Sequence, residues 1–152
     1  MAACNQARSH GYRAAMEAAK IPIPRGYTRS GDFTYQSGLR GGAALLDLAE
    51  PPTAIFASND EIALGVIEAA RTHGLRVPHD LSLIGFDDTL PARMASPPLT
   101  TVRQPLREMG AVALRTALRL ANGETIDSHH VELATQLVVR DSTAPVRSHP
   151  GE

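Results

Sequence analysis

Three apolar runs in this chain rise over five or six residues and then break into acid or amide, and this repetition constrains the fold more than any other feature. Residues 26–31 end at Asp32-Phe33, residues 53–57 at Ser58-Asn59-Asp60, and residues 81–86 at Asp87-Asp88. Each run has strand length and helical patterns lie between them, so the sequence reads as β-α-β-α-β, an α/β fold with a parallel sheet flanked by helices. In such a sheet the carboxyl ends of the strands share one rim, and open α/β folds bind their ligands there.

The remaining elements follow from periodicity and stop signals. Residues 5–20 predict a helix with Tyr12, Ala15, Met16 and Ala19 on one face, stopped by Pro22 and Pro24. Thr34 or Ser37 can cap a helix running to about Ala49, with Leu39, Ala43, Leu46 and Ala49 inward and Pro51-Pro52 beyond it. Ser58 and Glu61 have capping-box spacing, which starts the next helix near Asp60 and carries Ile62, Val66, Ile67 and Ala70 to a C-cap at Gly74. Residues 89–98, with three prolines, read as an irregular loop, and residues 99–102 as a short extended piece. Pro105 suits the first position of a helix whose Leu106, Gly110, Ala113, Ala117 and Leu120 keep period until Asn122-Gly123. Residues 130–133 and 136–140 read as closing strands, and residues 142–152, rich in Pro, Ser and Gly, as a loosely held tail.

Composition excludes several function classes. At 152 residues the chain can bury roughly two-thirds of its unfolded surface, enough for one domain. The net charge is -1, and fourteen of the fifteen basic residues are scattered arginines, so the chain by itself is not expected to bind DNA. Cys4 is the single cysteine, which forbids an internal disulfide. Residues 1–20 are too polar for a secretory signal and no apolar run reaches membrane-spanning length, so a cytoplasmic protein with no membrane partner is expected.

No cofactor, metal or enzymatic activity is expected either. Adjacent acids at a strand end can serve magnesium-assisted phosphoryl transfer, but the one lysine, Lys20, lies in the wrong element to steady a phosphate. No nucleophile-elbow motif occurs, and in a strand the adjacent His129 and His130 would point to opposite faces.

At the rim, Asp87 carries the most weight. A carboxylate at a strand end accepts hydrogen bonds from the hydroxyls of a small polar molecule, Asn59 offers both donor and acceptor, and Phe33 offers a flat apolar face for a ring. A purely structural reading stands beside each. Asn59 and Asp60 are favoured helix caps, Asp87-Asp88 can begin a turn, and Phe33 can pack on the helix that follows.

Taken in order, residues 52–60 (Pro-Thr-Ala-Ile-Phe-Ala-Ser-Asn-Asp), 74–78 (Gly-Leu-Arg-Val-Pro), 81–88 (Leu-Ser-Leu-Ile-Gly-Phe-Asp-Asp), 98–105 (Pro-Leu-Thr-Thr-Val-Arg-Gln-Pro) and Glu108-Met109-Gly110 resemble the LacI/GalR family of bacterial transcription regulators. The resemblance spans about residues 8–143. It implies a type I periplasmic-binding-protein-like fold, incomplete and consisting mainly of the carboxy-terminal lobe. Residues 1–103 and 135–143 would form that lobe without its first strand, residues 104–134 would be a segment of the amino-terminal lobe, and residues 144–152 a flexible tail.

The resemblance also implies a function and a site. A small-molecule effector, a sugar or nucleobase-type metabolite, would be gripped by Arg8, Phe33, Asn59 and Asp87. The helix bearing Leu64, Ile67 and Glu68 and the loop around Arg93 and Met94 would form a homodimer surface, with core packing the competing reading for Leu64 and Ile67. Operator DNA would be bound only through a helix-turn-helix module absent from this sequence. The rival expectations are a sugar-binding component of a transporter, which shares the fold, and a stand-alone dimerisation partner.

Overall fold

The parallel strands of the carboxyl rim are short, and helices on their connections do most of the covering. A computed structural model describes residues 3–125 and 130–145. In chain order the elements are α1 (Ala3–Ala18), α2 (Tyr35–Leu46), β1 (Ala54–Phe56), α3 (Asp60–Thr72), β2 (Ser82–Asp87), α4 (Leu90–Met94), β3 (Thr100–Arg103), α5 (Leu106–Ala121) and β4 (Gln136–Val138). The sheet order is β1-β2-β3-β4. β1, β2 and β3 are parallel, with Ile55 opposite Leu83 and Gly85 opposite Thr101, and β4 returns antiparallel to β3 with Val102 opposite Leu137.

α2 and α3 pack at close range because glycines leave room for backbone against backbone. A Cβ on Gly38 would collide with the Ile62 carbonyl, one on Gly65 with the Tyr35 carbonyl, and one on Gly42 would sit 3.1 Å from the Ala69 side chain. The face so formed presses Ala63, Val66, Ala69 and Ala70 onto Leu81, Leu83 and Leu99, and this cluster is the core. Thr34 caps α2 by accepting from the Ser37 N–H, and Asn59 caps α3 by accepting from the Ile62 N–H.

Several sequence expectations need correction. Residues 26–31 form no strand: Gly26 lies in a turn, and among the described residues the segment has no ladder partner, whereas a strand exists only when a neighbour takes up its backbone groups. Residues 130–133 are likewise not a strand, for the same reason. The loop over residues 89–98 contains the one-turn helix α4, started by Thr89 accepting from the Ala92 N–H and by Pro91 in its first turn. α2 stops at Leu46, so Ala49 is exposed and Leu45 takes the inward position. Ala15 and Ala19 are also exposed; only Tyr12 and Met16 of the expected α1 face are half-buried. Pro105 caps α5 instead of occupying its first turn.

The segment after β4 is anchored at its start. Ser142 is fully buried, donates to the Leu83 carbonyl at 2.6 Å and accepts from the Thr100 N–H at 2.8 Å. Residues 146–152 and His129 lie outside the described residues. α5, by contrast, buries no residue: Leu106, Met109, Leu114, Leu118 and Leu120 are all exposed.

Candidate functional site

The carboxyl ends of β1 and β2 meet the first half of α1, and the candidate residues gather there. Arg8 is half-buried; its guanidinium donates to the Ser58 carbonyl and lies over the Phe86 ring, with Cζ 3.8 Å from the centroid. The same guanidinium stands 3.7 Å from the Asp87 carboxylate, with both side chains largely shielded, 14% and 25% exposed. Arg8 and Asp87 are therefore a pair, presenting donors and acceptors side by side.

Asp87 is held in place by the Gln104 amide, which donates to its Oδ1 at 2.6 Å. Burial pushes its carboxyl above the usual range, while the Gln104 bond and the charge of Arg8 pull the other way. Asp87 and Asp88 both have positive φ, 119° and 60°, an arrangement that costs of order 1–3 kcal/mol per residue. The chain turns sharply at the strand end, and this turn leaves Asp87 at the rim and sends Asp88 inward.

Asn59 and Phe33 form a second pair. The Asn59 amide oxygen accepts from the Ile62 N–H at 2.8 Å and its nitrogen donates to the Phe33 carbonyl at 3.0 Å. Asn59 thus caps α3 and fixes the backbone of Phe33 at once. The half-buried Phe33 lines a cavity beside β1.

Asp60 is absent from the rim. It is 1% exposed, accepts from the Thr89 N–H at 2.7 Å, the Thr89 hydroxyl at 3.0 Å and the Thr101 hydroxyl at 2.5 Å, and ties α3 to β3 and to the start of α4. The Ser58/Glu61 capping box does not form; Glu61 instead accepts from the Tyr35 N–H at the start of α2, at 3.4 Å.

Sequence reading missed the surroundings of Asp88. Its buried carboxylate receives Arg93 at 3.0 Å, Arg103 at 2.5 Å and Arg140 at 2.5 Å. Burial alone would push this carboxyl up; the hydrogen bonds from Arg140, Arg103 and Arg93 together outweigh it and hold it at about 2. Phe86 and Gln104, which support Arg8 and Asp87, also went unread.

Of the expected dimer residues, Ile67 packs against the core and Leu64 is half-buried. Glu68 is bonded to Arg71 at 2.7 and 2.8 Å, and Arg93 to Asp88. Met94 is 75% exposed, beside Leu90 at 67%. Among the described residues no three His, Cys, Asp or Glu side chains converge as a metal site, and no helix is long and apolar enough to cross a membrane.

This geometry has close counterparts. A periplasmic binding protein-like domain model matches residues 2–143. The HTH-type transcriptional regulator DegA of Bacillus subtilis (strain 168) is 48% identical over 141 residues, which cover 93% of this chain and 42% of DegA. Among solved structures, the complex of the transcriptional regulator CelR with cellobiose superposes with a TM-score of 0.84 at 38% identity, covering 89% of this chain and 41% of that one. The lac repressor dimer bound to operator and the anti-inducer ONPF superposes with a TM-score of 0.84 at 32% identity, covering 93% and 49%. The chain spans about two fifths of the length of the curated relatives it matches.

Proposed function

We propose that this chain, which belongs to the periplasmic binding protein-like domain family in its LacI/GalR branch, senses a small effector for a transcription regulator. The observation that carries the reading is the pairing of Arg8 with Asp87 at the strand ends, the guanidinium laid on Phe86 and the carboxylate steadied by Gln104. Adjacent hydroxyls of a carbohydrate both donate and accept. A guanidinium beside a carboxylate answers both, and a low-dielectric rim strengthens each charged hydrogen bond.

The Phe33 ring supplies an apolar face for the flat side of a sugar or base. Asn59 holds Phe33 with one N–H, and an amide carries two, so the second can reach the effector. The cellobiose held by CelR supports a carbohydrate as the class of effector. A nucleobase-type metabolite is the second class the same donors and acceptors fit.

In the complete regulator, residues 1–103 and 135–143 form one lobe and residues 104–134 belong to the other. The exposed apolar face of α5 supports that division, since a helix with no buried residue lacks its packing partner here. Effector in the cleft biases the arrangement of the lobes by its differential affinity for them, and a homodimer passes that bias to operator-binding modules. Leu64, Ile67, Glu68, Arg93 and Met94 lie on or near that dimer surface, with the exposed Met94 its most accessible apolar group.

A ligand panel tests the reading. Amide shifts of the chain are followed by NMR while mono- and disaccharides and nucleosides are added to about 10 mM, where even weak binding registers. Perturbations clustered at Arg8, Phe33, Phe86, Asp87 and Gln104 are expected. Asp87→Ala should weaken binding about 10- to 100-fold, the loss of charged hydrogen bonds worth about 1.5–3 kcal/mol. A ligand that binds equally well after Asp87→Ala and Arg8→Ala refutes the assignment.

A further inference from the structure

Three guanidiniums surround the Asp88 carboxylate, and one carboxylate neutralises only one of them. The Asp88 side chain is fully buried and Arg140 is 16% exposed, whereas Arg93 and Arg103 are 53% and 45% exposed. The acid therefore lies inside and two of the cations outside, so an anion arriving from solvent meets guanidiniums before it meets the carboxylate. The neighbouring acids do not offset this surplus at the surface. Asp60 is 1% exposed and bonded to Thr89 and Thr101, and Asp87 is paired with Arg8 and Gln104.

The unspent donors point the same way as the charge. A guanidinium carries five N–H groups in a rigid plane. Arg103 gives Asp88 only its Nε–H, and neither of its terminal amino groups meets an acceptor among the described residues. Arg93 spends its Nε and Nη2 on the Asp88 carboxylate and carbonyl, and its Nη1 meets no acceptor among the described residues. Both side chains converge on one atom, Asp88 Oδ2, at 3.0 Å from Arg93 and 2.5 Å from Arg103. Nitrogens bonded to one oxygen are close enough for a single tetrahedral oxyanion to touch both guanidiniums. The buried carboxylate already holds them in place, so little side-chain freedom is lost when an anion binds.

We propose that Arg93 and Arg103 form an oxyanion site, which takes inorganic phosphate or the phosphoryl group of a small metabolite on the N–H donors they leave free outside Asp88. Arg103 supplies the fork, two terminal amino groups matched to two oxygens, and Arg93 supplies the second charge. A dianion answers the surplus of two positive charges better than chloride does. Two guanidiniums serve one phosphate group and form no track for a duplex backbone. This site is separate from the Arg8–Asp87 pair, and its test depends on no effector.

Sodium phosphate is titrated into the full chain to about 50 mM at about pH 7.5, with sodium chloride adjusted to keep the ionic strength constant. Saturable shifts of the Arg93 and Arg103 Nε–H signals in NMR are expected, half complete below about 20 mM, with sulfate acting alike and chloride inert. Glycerol 3-phosphate separates the two sources: binding about tenfold tighter than phosphate assigns the site to a phosphorylated metabolite, and equal binding assigns it to the free ion. Arg103→Lys keeps a charge beside Asp88 but loses the fork, so it should weaken phosphate about fivefold or more, and Arg103→Gln further. Arg103→Lys carries the test if Arg103→Gln folds poorly. Arg76→Gln, at the exposed pair with Asp80, should change nothing. Shifts that stay linear without saturating overturn the proposal, as does equal phosphate affinity after Arg103→Lys. So does a phosphate affinity that falls as chain concentration rises, which would mean that an acidic group of a second copy occupies the guanidiniums.

Discussion

Asp88 draws together three arginines that are far apart in the chain: Arg93 in α4, Arg103 at the end of β3 and Arg140 beyond β4. Its folded pKa of about 2 lies below the unfolded value of about 3.9, so the stability it contributes is complete above that value and is lost as pH falls from about 4 to about 2. Asp88→Asn should lower the stability at neutral pH and flatten its decline between about pH 4 and about 2, read from urea unfolding followed by circular dichroism at each pH. His73 works with the opposite sign. Its ring meets Asp47 Oδ1 at 3.0 Å and the Ala69 carbonyl at 2.7 Å, two acceptors that only the protonated imidazole satisfies together. The Asp47 bond first, then the Ala69 carbonyl, raise its pKa, so this clamp between the ends of α2 and α3 is present below about pH 6.5 and is lost as pH rises through the folded value. Thermal melts between pH 5 and about 8.5 should show a decline that Asp47→Asn removes.

At the scale of elements, the α2–α3 interface depends on missing side chains. Gly65→Ala or Gly38→Ala places a methyl group on the backbone carbonyl of the opposite helix, and backbone cannot yield as a side-chain end can. Each should cost about 1–3 kcal/mol or more, read from urea midpoints. Gly74→Ala is the comparison: nothing lies within 4 Å of its Cβ, and only the φ of 71° opposes it, at about 1 kcal/mol. The helix pair matters for the rim as well, since it fixes the start of α3, where Asn59 holds Phe33 and Asp60 ties the helix to Thr89 and Thr101. α5 contributes no buried residue to this core, and Leu106, Leu114, Leu118 and Leu120 on it stay exposed.

For the whole molecule, charge sets the boundary of what the chain does alone. The net charge is -1, and three of its arginines are committed to Asp88 while Arg8 is committed to the rim. Fluorescence anisotropy with a labelled operator-type duplex should therefore show no saturable binding by the chain at physiological salt; binding with a steep salt slope would contradict this.

Runs of strand length, their acid and amide endings and the helices between them were legible in the sequence, because alternation and capping are local and each residue carries its own preference. That made β1, β2, α3 and the rim residues Asn59 and Asp87 readable, together with the resemblance that placed Arg8 and Phe33. Residues 26–31 show the boundary of such reading: their pattern fits a strand, but a strand is completed by a neighbour, and only the assembled sheet reveals that none is present among the described residues. The arginines around Asp88, the locking role of Asp60 and the burial of Ser142 were set by tertiary structure for the same reason. Charge pairing and desolvation depend on distance in space, and separations of 52 residues between Asp88 and Arg140 and 59 between Leu83 and Ser142 carry no trace of it along the chain.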